Sequence, residues 1–165
     1  MTNTLTEAIK STIMAHADWS YCGWRPAQIH WHTEPEYITA NQCPAICIIY
    51  RDSRTVAETL RGRYADGTCA PGLAVIDYLF DIHLWDKAAK LDELAERLHA
   101  AGDVVRAALQ DGFNLDGYPV YAHIDRGSQT ESFRQGSAQL AALPLQLSVT
   151  VYGRQGSPTV PPVEQ

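Results

Sequence analysis

His30 and His32 stand two residues apart, and Asp81 and His83 repeat that spacing further along the chain. On a strand, residues i and i+2 project from one face with Cα atoms ~6.6 Å apart, a separation that lets two side chains hold one divalent metal. A two-histidine, carboxylate-containing centre would form only if the two segments lay side by side. The plainer reading is a water-facing sheet face on which histidines are tolerated; on it the chain binds no metal and needs no cofactor.

Other reactive side chains offer less. Cys47 alternates with apolar residues in Ala45-Ile46-Cys47-Ile48-Ile49-Tyr50, the setting of a buried, inert thiol. Ser128 and Ser132 follow His123 and Asp125, but no Gly-x-Ser-x-Gly elbow frames a nucleophile. Gly62, Gly67 and Gly72 stand too far apart to present neighbouring amides to a phosphate. Cys43 and Cys47 sit on a predicted strand, where four residues separate their Cα atoms by about 13 Å. A disulfide needs about 7 Å or less, so the four cysteines, Cys22, Cys43, Cys47 and Cys69, are expected as thiols.

Arg51, Arg54, Arg61 and Arg63 concentrate in one stretch. Thirteen basic against nineteen acidic residues give a net charge of −6. That balance disfavours a phosphate-gripping surface and makes these arginines candidate contacts to acidic protein surface. The N-terminal sequence has no basic stretch followed by an apolar one, and no apolar run approaches the ~20 residues that span a bilayer, so neither export nor a membrane role is expected.

The elements that must position these residues are legible in outline. The chain has 165 residues, 45% of them apolar, enough for one sizeable core. Thr4 and Glu7 spell a capping box, and Leu5, Ile9 and Ile13 then stack on one helix face, with Thr6, Lys10 and Ser11 outside and an end near His16. Residues 17–43 are aromatic and aperiodic, serving either as a satellite core or as a contact patch, with a short strand around Gln28–Thr33. A buried strand follows Pro44. Residues 54–67 are ambiguous between a helix, with Val56 and Leu60 four apart, and a flexible arm.

The clearest alternation runs from Leu73 to Trp85, with Ala74, Ile76, Tyr78, Phe80, Ile82 and Leu84 on one face and Asp77, Asp81 and His83 on the other. Asp86 is placed to cap a helix whose stripe is Leu91, Leu94, Ala95, Leu98, Val105, Ala108 and Leu109, ended by Gly112. Strands are predicted around Tyr118–Asp125 and Leu143–Tyr152, with a long loop at 126–142 between them. Few helices among many strands predict an α+β fold: a mixed, mainly antiparallel sheet of at least four strands with two helices packed on one face. One domain is expected over 1–153, followed by an extended, proline-containing tail over 154–165.

This succession of elements resembles the tail terminator proteins of tailed bacteriophages. The likeness rests on the N-terminal helix, Pro44 to Tyr50, the following arm, the strand at 73–85, Leu91-Asp92-Glu93-Leu94, Gly117-Tyr118-Pro119-Val120 and Leu143 to Val149. It spans about residues 1–153. The resemblance implies a structural, non-enzymatic virion protein, assembled in the host cytoplasm. It would form a homo-oligomeric ring, usually a hexamer, on the head-proximal end of the tail tube, stop tube growth, and offer the docking surface for the head–tail connector or neck protein. Tail sheath is a further partner on this view, and genomic DNA passes through without specific binding. Asp77 and Asp81 are then candidates for an acidic lumen that repels DNA phosphates, and 51–72 and 126–142 for contacts between subunits. The alternatives are a small metal-dependent enzyme built on His30 and His32, or another neck or head-completion component.

Overall fold

Alternating β-branched and apolar residues make the sheet the framework of the molecule, and a computed structural model describes it over residues 2–34, 37–58, 66, 73–115, 118–125 and 131–154. Helix α1 (Thr2–His16) comes first. Strands β1 (His30–His32), β2 (Ala45–Glu58) and β3 (Leu73–Ala88) lead into helix α2 (Leu91–Leu109). Strands β4 (Phe113–Leu115), β5 (Tyr118–Asp125), β6 (Glu131–Gln135) and β7 (Ala138–Arg154) follow. The strands join in the order β1-β2-β3-β7-β5-β4, with β6 also paired to β7. β1 runs parallel to β2 and every other pairing is antiparallel, so the sheet is mixed and mainly antiparallel, as expected.

Both helices lie on one face. Ile46, Ile48, Phe80, Ile82, Leu84, Leu143, Leu145 and Leu147 line it and form a single buried cluster with Leu5, Ile9 and Ile13 of α1 and Leu94, Leu98, Val105 and Leu109 of α2. The aromatic stretch belongs mainly to this core. Trp19 and Trp24 are buried and stacked at 5.3 Å, while Tyr21 and Tyr37 remain exposed. On the opposite face, Ile38 covers Ala45, Cys47 and Ile49 in a second, smaller cluster.

Five local expectations are corrected. α1 begins at Thr2, so Thr4 lies inside its first turn, and Thr6 is buried. Asp86 does not cap α2: the last turns of β3 pairing with β7 carry the strand through Ala88, and Lys90 occupies the cap position. The span 126–142 is not one loop. It contains β6 and the start of β7, joined through Gly136 at φ +61°, a left-handed conformation that glycine adopts freely. Val56 is no helical residue, because β2 continues to Glu58 with register shifts between Tyr50 and Asp52 and between Thr55 and Ala57. Leu91, assigned to the apolar stripe, is exposed, whereas Ala101, Gly102 and Val104 join the buried side of α2. Arg61, Arg63, Cys69, Ser128 and the tail beyond Arg154 lie outside the described residues.

Candidate assembly surface

Antiparallel pairing puts directly opposed residues on the same face, so the register defines the rows of the helix-free face. One row reads Arg54, Asp77, Thr150, Tyr121 across β2, β3, β7 and β5. The next reads Asp52, Leu79, Ser148, His123. A third carries Asp81, Gln146 and Asp125, and Arg51 reaches it from the irregularity in β2.

The sequence candidates meet here as pairs. Arg51 Nε donates to Asp81 Oδ2 across the β2–β3 ladder. Arg54 Nη2 lies 3.5 Å from Asp77 Oδ2, and the Thr150 hydroxyl donates to Asp77 Oδ1 at 2.7 Å. Asp77 and Asp81 are thus partly compensated by the same arginines that the sequence marks as contact residues. On β5, His123 Nε2 and Asp125 Oδ1 approach to 3.1 Å, both well exposed. The result is a polar surface with exposed charge on β2 and β5.

The histidines and the second carboxylate do not come together. β2 lies between β1 and β3, so the rows that hold His32, Cys47 and His83 separate the two histidines by two strand spacings, about 10 Å between Cα atoms. The side-by-side condition for a metal centre is not met, and among the described residues no group of three or more His, Cys, Asp or Glu could hold an ion. His83 is half-buried, and that burial lowers its pKa from the ordinary 6.5, against an opposing pull from Asp81. Burial, reinforced by Asp86, pushes the Cys43 thiol up to about 12, far from a reactive thiolate. Ser132 sits exposed on β6, away from the role of a nucleophile oriented by a base.

One polar centre escaped sequence reasoning. Asp86 is buried on the helix-bearing face, where the Trp24 indole Nε1 donates to its Oδ2 at 2.9 Å and Arg97 Nε approaches the same oxygen at 3.1 Å. Arg97 Nη2 also donates to the Lys87 carbonyl at 2.6 Å. The group ties the aromatic segment, β3 and α2 together. Beside it, Tyr21, Cys22, Glu93, Glu96, Arg97 and Ala100 line an open groove of about 500 Å³. The sequence signal for this centre was an Asp immediately after the predicted strand Leu73–Trp85, a position that also fits a helix cap.

No family model and no curated protein matches the sequence. Among solved structures, the whole chain aligns with the sheath/tube terminator of an extracellular contractile injection system (PVC), in its extended state. The TM-score is 0.56 and the identity 19%, and this chain spans 61% of that one. A chain from the virion of a native gene transfer agent particle aligns over 88% of this chain and 94% of its own, with 12% identity and a TM-score of 0.39, too slight a likeness to bear on the fold. At these identities the comparison speaks to architecture: the polypeptide shares its fold with a sheath/tube terminator and covers about three-fifths of that protein's length.

Proposed function

We propose that this chain is a structural component that self-associates into a ring, with six copies as the expected number, and caps the head-proximal end of a phage-type tail tube. In that position it ends tube polymerisation and offers its outer end to the head–tail connector. Tail sheath is a further contact, and the genome passes through the ring unbound. The observation that carries this reading is the fold shared along the whole chain with a sheath/tube terminator.

Physical features of the sheet agree with such a role. On this reading the helices lie on the outside of the ring and the polar face lines its inside. Asp52, Asp77, Asp81 and Asp125 then face the lumen with Arg51 and Arg54, four carboxylates against two guanidiniums. A weakly negative wall repels phosphate without gripping it.

The test is reconstitution. Tube protein polymerised with this chain should yield tubes with one closed end, shorter than those grown without it. Tubes of unchanged length carrying no bound chain would contradict the proposal. An enzymatic reading built on His30 and His32 loses its geometric basis because β2 intervenes.

A further inference from the structure

Glu93, Glu96 and Ala100 stand at i, i+3 and i+7 on α2, so they form one stripe, and together with Tyr21 and Cys22 they line the open groove of about 500 Å³. Glu93 precedes Arg97 by four residues, the spacing and order at which opposite charges pair along a helix. That pair does not form. Arg97 turns instead to buried Asp86, at 3.1 Å, and to the Lys87 carbonyl, at 2.6 Å. Its charge is thereby neutralised within the protein, and Glu93 and Glu96, both exposed, form no ion pair among the described residues. Attraction to the helix N-terminus accounts for an acid in the first turn, where Glu93 lies, but not for Glu96 in the second. Tyr21, 79% exposed, adds an accessible ring. Two uncompensated carboxylates beside such a ring suit a guanidinium, which pairs with the acids and packs on the aromatic face.

The chain carries guanidiniums of this kind on β2. Every residue from Tyr50 to Val56 is exposed, Ser53 included, although its register partner Tyr78 belongs to the core that the helices cover. In this stretch the Arg51 and Arg54 side chains are 51% and 66% exposed, and Val56 is 56% exposed. Each arginine meets its own aspartate through one nitrogen, Arg51 through Nε and Arg54 through Nη2 at 3.5 Å. A guanidinium has five N–H donors, so most remain available to a second carboxylate. Both arginines lie on the helix-free face with Asp81 and Asp77, whereas the groove runs along α2 on the covered side, so the two patches do not meet within one copy.

We infer that the exposed stretch Tyr50–Val56 of one copy seats in the α2 groove of a second copy, with Arg51 and Arg54 against Glu93 and Glu96 and the apolar side chains against Tyr21 and Ala100. The contact joins two different patches, the heterologous arrangement that a cyclic ring requires. It also gives the clustered arginines the acidic protein surface that their sequence context calls for. This inference rests on the self-association in the proposed function and adds to it the two surfaces that meet.

The experiment is photo-crosslinking in the full chain. Tyr21 is replaced by the photoreactive p-benzoylphenylalanine, one aromatic for another at an exposed site. Isotopically heavy and ordinary chains are mixed with tube protein and irradiated, and the joined peptides are identified by mass spectrometry. The expected product links position 21 of one copy to a peptide containing Tyr50–Val56 of the other, in mixed isotopic pairs. Links confined to tube protein, to other segments or to one copy overturn the docking. Charge reversal by Glu96→Arg, also at an exposed site, should weaken assembly by about tenfold or more at unchanged circular dichroism, and Glu96→Gln should weaken it less. Assembly undiminished by Glu96→Arg overturns the docking as well. Native mass spectrometry of the unmodified chain, alone and with tube protein, separates the two levels of the argument. Rings without the expected link overturn the docking and leave the ring standing. A chain that stays monomeric in both settings overturns both.

Discussion

Asp86 shows how a single side chain can be read correctly as important and wrongly as to purpose. Its carboxylate accepts from the Trp24 indole and pairs with the Arg97 guanidinium, so Asp86→Ala would leave the indole donor unmatched and Arg97 without its counter-charge. The expected loss is about 2–3 kcal/mol in urea unfolding, moderated because Arg97 keeps some solvent. Asp86→Asn, which retains an acceptor for Trp24, should lose less; equal losses would deny the indole bond a part. His83 gives a pH prediction. Unfolded, it titrates near 6.5, and burial lowers the folded value, so between the two the unfolded chain binds more protons. Stability should be full above about pH 6.5 and decline on acidification below it, and His83→Gln should flatten that slope in pH-dependent melting. An unchanged slope would assign it to other groups.

At the scale of elements, the connections are where geometry is most demanding. Gly112 follows α2 at φ +71°, and an added Cβ would sit 2.2 Å from the Val120 carbonyl oxygen. Gly136 shares the left-handed backbone at φ +61° but has nothing within 4 Å. Gly112→Ala should therefore cost about 3 kcal/mol, from left-handed strain plus collision with β5, and Gly136→Ala about 1 kcal/mol from strain alone. Thermal unfolding of the two variants checks the ranking, and comparable losses would remove the collision from the account. These elements also mark what the sequence could show. The alternation of Tyr78, Phe80, Ile82 and Leu84 with half-buried neighbours, and the fourfold spacing of Leu5, Ile9 and Ile13, match the expectation because one buried face imposes its period on the chain, whereas Asp77, assigned to the wetter face, is buried. The β6–β7 hairpin does not match it: glycine, serine and glutamine at its turn resemble an open loop, and the partner that makes 138–142 a strand is β3, some fifty residues away. The same holds for β2 beyond Tyr50, where two register shifts break the alternation that would have revealed it. Arg51–Asp81 and Arg54–Asp77 were singled out as residues but not as pairs, since pairing across a sheet is a property of register.

For the whole molecule, the account depends on a sheet with one face covered by helices and one polar face. Helices cover one side of the sheet and the ion-paired rows lie on the other, the side that the proposed function turns toward the passing DNA. In the proposed ring, a net charge of −6 per chain would make that face more repulsive to phosphate with each copy added. The histidine pair and the carboxylate–histidine pair that opened the sequence reading are held apart by an intervening strand. The central claim is that copies of this chain close into a ring at one end of a tail tube. It is tested most directly by electron microscopy of intact tailed particles in which the chain bears a gold-labelled tag. Label confined to the junction of head and tail is the predicted result; label spread along the tube, or absent from the particles, would contradict it.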